Sequence, residues 1–221
     1  MTAVSAPESC IDPFRQQQDR WDIETRQPTL YLLRHCETEW NQARLYQGRS
    51  DPPLSASGLL RARNLGEELA PFLARSMKVL SSPLMRARMT ATVVASHAAA
   101  KVSIDDRLTE LSYGLWEGHS QATIKLVWPD LLRRWKQAPD TVVFPGGESL
   151  RDLRARVRLF LAEAAEWEAP IFAVTHEGVI RLVMLEAQGL PLSAFRAVKI
   201  RPGKLAVFCY HRSGISLLSV Q

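Results

Sequence analysis

Three short apolar runs, Leu30–Leu33, Val79–Leu80 and Ile171–Val174, each break off abruptly into polar residues. Runs this short and this apolar predict buried strands, and the segments between them change period. Leu59, Leu65, Leu69 and Phe72 recur at helical spacing through Ala56–Ala74, with Ser55 placed as the N-cap. Pro83–Ala98 also predicts a helix, and Lys101–Ile104 a short strand. Leu150, Leu153, Val157, Phe160 and Leu161 make one face of a helix over Ser149–Glu166. Gly178–Ala187 predicts a helix that stops near Gly189-Leu190-Pro191. Leu205–Tyr210 and Ile215–Val220 flank Arg212-Ser213-Gly214 and predict a terminal hairpin. Strands alternating with helices define an α/β protein: a three-layer sandwich with a mostly parallel central sheet flanked by helices.

Composition adjusts this picture little. A length of 221 residues suits one large domain, with Met1–Pro28 as an extension before the domain at 29–221. That extension lacks an apolar signal-peptide core, and its Phe14, Trp21 and Ile23 offer anchors to the domain surface. No apolar run approaches the roughly 18–20 residues of a membrane span. Cys10, Cys36 and Cys209 stand far apart and suggest neither a disulfide framework nor a metal site. A cytoplasmic enzyme is therefore expected.

The ends of the apolar runs carry the chemistry. Arg34-His35 closes the first, Ser81-Ser82-Pro83 with Arg86 follows the second, and His176-Glu177-Gly178 follows the third. Ligands of α/β proteins gather beyond the carboxyl ends of the strands. Two arginines and two histidines there suit a dianionic phosphoryl group, since guanidinium forks match phosphate oxygens and a neutral imidazole is a nucleophile. Glu110, in a loop rich in glycine and aromatics, is the candidate proton donor for a departing oxygen. The set lacks the carboxylate-rich ligands of a magnesium phosphatase, so neither metal nor cofactor is expected.

Several motifs together resemble the histidine phosphatase superfamily, the phosphoglycerate-mutase-like group, from about Thr29 to Gly189. They are Arg34-His35-x-x-Thr38-x-Trp40-Asn41, Gln47-Gly48-x-x-Asp51-x-Pro53-Leu54-Ser55-x-x-Gly58 and Ser81-Ser82-Pro83-x-x-Arg86-Ala87. The Glu110 segment, Pro145-Gly146-Gly147-Glu148-Ser149 and Thr175-His176-x-Gly178-Val179-Ile180-Arg181 complete them. The resemblance implies His35 as the nucleophile that becomes phosphohistidine. Arg34, Arg86 and His176 would clamp the phosphoryl oxygens, Asn41 would add a donor, and Glu110 would act as acid and then base. Gln47 and Gly48 are expected at the substrate. The chain departs from the family pattern at Cys36, where glycine is usual, and at Glu177, where a small residue is usual. Glu177 is assigned to substrate selection, repelling an acidic group or meeting hydroxyls or an ammonium, unless Arg181 takes it up.

The implied activity is that of a histidine acid-type phosphatase, a metal-independent phosphomonoesterase acting on a small phosphorylated metabolite. The stretch Tyr113-Gly114-Leu115-Trp116-Glu117-Gly118 looks like the phosphatase branch. A phosphoglycerate mutase with a bisphosphate primer uses the same residues, and an inactive phospho-ligand scaffold is the reading from another class. The segment from His119 to Phe144, with Trp128, Trp135 and several basic residues, is expected to form a helical cap near 119–146 that selects the substrate. A net charge of +5 and a pI near 9.4 favour anions. Arg151, Arg154, Arg156 and Arg158 spread around a helix beside acidic residues, which predicts a solvated face rather than a nucleic-acid patch. The expected partner is the small substrate, without nucleic acid or membrane; a homodimer is allowed.

Overall fold

The computed structural model describes residues 29–73, 77–211 and 214–221. Its sheet holds β1 (Thr29–Arg34), β2 (Lys78–Ser81), β3 (Val102–Ile104), β4 (Ile171–Thr175), β5 (Leu205–His211) and β6 (Gly214–Val220), in the order β3-β2-β4-β1-β5-β6. The first four of these run parallel, and β5 and β6 add an antiparallel edge. The helices are α1 (Glu39–Gln42), α2 (Ala56–Leu73), α3 (Met85–Ser96), α4 (Gln121–Val127), α5 (Pro129–Gln137), α6 (Leu150–Ala165) and α7 (Glu177–Gln188).

The apolar runs are continuous because both faces of the sheet are covered. Leu30, Leu32, Ile171 and Ala173 pack with Leu153, Val157 and Phe160 of α6 and Leu182 of α7. Their alternates, Tyr31, Leu33, Phe172 and Val174, pack on the other side with Leu65 and Leu69 of α2 and Ala87 and Val94 of α3. The three-layer α/β architecture is the one the sequence predicts.

Local chemistry sets the helix starts. Ser55 Oγ accepts from the Gly58 amide at 3.1 Å, which caps α2. Ser149 and Asp152 form a reciprocal capping box on α6. The α3 helix begins at Met85 rather than Pro83, because the Asp51 carboxylate takes the Met85 amide at 2.6 Å. The short α1 is absent from the sequence-based prediction, although Thr38 and Asn41 cap each other across its first turn. Residues 119–146 hold α4, α5 and a single 3-10 turn, Pro139–Thr141, so the expected helical character is present. The N-terminal extension with Phe14, Trp21 and Ile23, and the hairpin turn at Arg212-Ser213, lie outside the described residues. No helix among the described residues is long and apolar enough to cross a membrane.

Candidate active site

Strand register brings the predicted residues level. Arg34 lies opposite Thr175 and Ser81 opposite Val174, so the residues that follow, His35, Ser82 and His176, meet at the carboxyl edge of the sheet. The cleft above them has a volume of about 310 Å³. Arg34, His35, Asn41, Gln47, Gly48, Arg86, Glu110 and Glu177 all line it, whereas His176 lies fully buried beneath it.

The His35 backbone amide donates to the Thr175 carbonyl at 2.9 Å. The ring contacts the Cys36 carbonyl through Nδ1 at 2.7 Å, and a carbonyl only accepts, so Nδ1 carries the hydrogen. Nε2 is then the bare nitrogen, and Arg86 Nε donates to it at 3.3 Å. Burial, Arg86 and Arg34 hold this imidazole well below its ordinary value of 6.5, so it is neutral across the physiological range.

Arg86 comes from the first turn of α3 and is fully buried. Its Nη1 donates to the Ser50 carbonyl at 2.8 Å and its Nη2 to the Gly48 carbonyl at 2.7 Å. Burial lowers its pKa to about 10, which leaves it charged at neutral pH. Gly48 has φ +55°, and a Cβ there would lie 2.1 Å from Glu117 Oε1. Glu117 staples this loop, accepting from the amides of Arg49 (2.9 Å), Ser50 (2.7 Å) and Tyr113 (3.0 Å). Arg34 pairs with Glu177 at 2.9 Å and donates to the Ile200 carbonyl.

Glu110 is 7% exposed and sits on the N-terminus of α7. Its Oε1 accepts from the Leu111 amide at 2.9 Å and from the Gly178 amide at 3.1 Å. Burial raises its pKa above the ordinary 4.5, outweighing these amides and Arg86, which favour the charged form. Arg156 supports the loop from α6, donating to the carbonyls of Arg107 (2.8 Å), Thr109 (2.5 Å) and Glu110 (3.0 Å). A solvated face is thus the wrong reading for Arg156. Arg154 and Arg158 pair instead with Glu186 of α7, at 2.5 and 2.9 Å.

The approach of Glu110 to α7 depends on a missing side chain. A Cβ at Gly178 would stand 2.3 Å from Glu110 Oε1, far inside van der Waals contact. Gly178→Ala is therefore expected to push the carboxyl group off the helix terminus. Its kcat on an alkyl phosphate should fall with little change in KM, which steady-state kinetics checks; wild-type kcat would show that the carboxyl position is immaterial.

His176 Nε2 lies 2.7 Å from Ser82 Oγ, and Ser82 Oγ already accepts from the Leu84 amide at 3.3 Å. Ser82 Oγ keeps a second lone pair and its own hydrogen, so it serves Nε2 as acceptor or donor with either imidazole tautomer. Nδ1 is buried with no protein partner. The two imidazole rings stand 5.1 Å apart, centroid to centroid. Asn41 Oδ1 is committed to Thr38 (3.0 Å to its amide), so the carboxamide is held by its own turn even as it lines the cleft. Gln47 is buried, with Oε1 unpartnered.

The two unusual residues have local explanations. Cys36 does not adopt a left-handed backbone, so no glycine is required there. Burial pushes its thiol up to about 11, and its amide donates to Thr90 Oγ1 at 3.0 Å. Glu177 does line the cleft, but Arg34 and Arg181 both hold its carboxylate. Its charge is taken up, so simple repulsion of an anionic substrate does not follow.

The sequence did not mark Arg44, Tyr113, Arg181, Arg196 and Lys199 as cleft residues. They come from four separate segments, and no spacing rule joins them. Of residues 119–146, Trp135 lines the cleft, while the basic residues Lys125, Arg133, Arg134 and Lys136 do not.

Two arginines, two histidines and a buried carboxyl group meet beyond the carboxyl ends of the parallel strands, a set whose chemistry suits a phosphoryl group. The chain belongs to the histidine phosphatase superfamily (branch 1), whose model matches residues 30–221. It is 36% identical over 169 residues to Phosphoserine phosphatase 1 of Hydrogenobacter thermophilus, covering 75% of this chain and 79% of that one. It is 32% identical over 187 residues to a Salmonella paratyphi C protein named Probable phosphoglycerate mutase GpmB, covering 83% and 86% of the two chains. The crystal structure of the alpha-ribazole phosphatase from Shigella flexneri superposes with a TM-score of 0.76 at 27% identity, over 87% of this chain and 95% of that one.

Proposed function

We propose that this chain is a metal-independent phosphomonoesterase that hydrolyses a small phosphorylated metabolite through a phosphohistidine on His35. One observation carries the reading: the Cys36 carbonyl fixes the His35 tautomer so that Nε2 is the unprotonated nitrogen of a neutral ring lining the cleft, its electron pair engaged by a hydrogen bond from Arg86 Nε at 3.3 Å that the attack on phosphorus replaces. Nε2 attacks phosphorus and the bond from phosphorus to the ester oxygen breaks. Glu110 gives its proton to that oxygen, and the Cys36 carbonyl accepts from the imidazolium that forms. Glu110, now a carboxylate, takes a proton from the water that attacks phosphorus, the P–N bond breaks with its electron pair returning to Nε2, and phosphate leaves. Arg34, Arg86 and His176 hold the phosphoryl oxygens, and Asn41 and Gln47 border them. In this scheme the fixed guanidinium charges neutralise the phosphoryl group, the task a metal ion performs elsewhere.

The phosphatases among the relatives support hydrolysis, and the mutase-named relatives support a second reading on the same residues. A phosphate-release screen over phosphomonoesters, run with EDTA and with bisphosphoglycerate, separates the two. The expected result is phosphate release from a free ester, unchanged by EDTA. Activity lost to EDTA and restored by magnesium contradicts metal independence, and interconversion of phosphoglycerates only with the bisphosphate identifies a mutase.

The shifted groups set the pH profile. The active form needs neutral His35 and protonated Glu110. The His35 value is lowered, so it stays neutral below pH 6.5 and the acid limb of kcat/KM lies below that point. The Glu110 value is raised, so it keeps its proton above pH 4.5 and the basic limb lies above that point. In Glu110→Gln the limb due to this carboxyl group should disappear from the profile.

A further inference from the structure

The cleft holds more positive charge than one phosphoryl group uses. Arg34, Arg44, Arg86, Arg181, Arg196 and Lys199 line it, against the carboxyl groups of Glu110 and Glu177. Arg34 and Arg181 share Glu177, and Arg86 lies 3.8 Å from Asp51. Among the described residues no carboxylate pairs with Arg44, Arg196 or Lys199. Unpaired cations gathered in one concave site repel one another, so their assembly is stabilised by an anion.

Arg196 is also held in a way that general surface charge does not require, and Arg44 is placed at the cleft by the end of α1. Arg196 Nη1 is buried without a hydrogen-bond partner, and its guanidinium lies over the Trp135 ring, 5.7 Å from the centroid. Trp135 thus fixes a donor whose acceptor is missing from the protein. Arg44 has φ +55° because it closes α1, its amide donating to the Asn41 carbonyl and the Leu45 amide to the Trp40 carbonyl. Its backbone accepts that conformation while its side chain borders the cleft.

We propose that the substrate carries a second anionic group besides the phosphoryl ester, and that Arg196, with Arg44 and Lys199, receives it. This rests on the phosphomonoesterase reading of the same cleft and names the substrate class that the reading leaves open. A carboxylate or a second phosphate both satisfy the chemistry. A neutral polyol phosphate offers Arg196 only uncharged hydroxyl acceptors and leaves its charge unpaired.

The test compares three esters: 3-phosphoglycerate, its neutral isostere glycerol 3-phosphate, and 1,3-propanediol bisphosphate. Wild-type kcat/KM should favour at least one acidic ester over the neutral one by about tenfold or more, and the preferred one tells carboxylate from phosphate. A charge-assisted bond of this kind is worth roughly 10- to 100-fold. Arg196→Ala should shrink that ratio to within about threefold, and Arg44→Ala, on a separate loop, should shrink it in the same direction. Equal kcat/KM for acidic and neutral esters overturns the proposal, as does an Arg196→Ala variant that keeps the wild-type ratio. Calorimetric Kd values of the same ligands on His35→Ala protein read the preference without chemistry. If no ester is hydrolysed yet the acidic ligands bind that variant about tenfold more tightly, the phosphatase reading fails and the second-anion assignment stands. Equal Kd values overturn the assignment whatever the enzyme hydrolyses.

Discussion

Alanine at His35 should lower kcat by on the order of 10⁴- to 10⁶-fold on every phosphomonoester hydrolysed, the scale expected when a covalent nucleophile is removed. In the proposed scheme the loss falls on kcat, because Arg34 and Arg86 would still bind the phosphoryl group. Neither arginine takes its position from the imidazole alone. Arg86 is anchored by the Gly48 and Ser50 carbonyls, and Arg34 by Glu177 and the Ile200 carbonyl. The folded state should survive the change. Stopped or initial-rate assays across aryl and alkyl esters check this, and a variant that keeps more than a few per cent of wild-type kcat would move the nucleophile elsewhere.

Glu110→Gln separates leaving groups. An alkoxide is a poor leaving group and needs the Glu110 proton, whereas p-nitrophenolate departs without it. The loss on an alkyl phosphate should reach ~10²- to 10⁴-fold, with a much smaller loss on p-nitrophenyl phosphate. Glutamine keeps the size and the acceptor oxygen that meets the Leu111 and Gly178 amides, so positioning is preserved and the proton alone is removed. Equal losses on both esters would show that Glu110 positions rather than protonates. Gly178→Ala should mimic the same leaving-group dependence through displacement of the carboxyl group.

What the sequence revealed, and what it hid, follows from the range of the interactions. Strands β1, β2 and β4 were legible because both of their faces are buried, which forces apolar residues at successive positions. Arg34, His35, Arg86 and His176 were legible because each stands within a few residues of a strand end, where α/β topology collects ligands. The partner of Glu177 was half legible: Arg181 lies one helical turn away, but Arg34 reaches it only across the sheet edge. Arg156 was misread because helical spacing alone cannot tell a solvated arginine from one whose fork meets three carbonyls of a distant loop. Arg44, Arg196 and Lys199 left no mark at all, since the cleft they share is made by tertiary packing between remote segments. The short α1 was passed over because four residues give no period to detect.

Phosphate trapped on the nucleophile tests the central claim most directly. Wild-type protein mixed with an excess of a reactive phosphoester, quenched in denaturant and digested, should yield a single phosphopeptide containing His35. The phosphate should be labile in acid and stable in base, as expected of a phosphoramidate, and absent from His35→Ala protein handled identically. A wild-type enzyme that turns over quickly, leaves no such adduct under rapid quench and incorporates solvent oxygen with inversion at phosphorus would contradict the account, because that outcome describes direct attack by water.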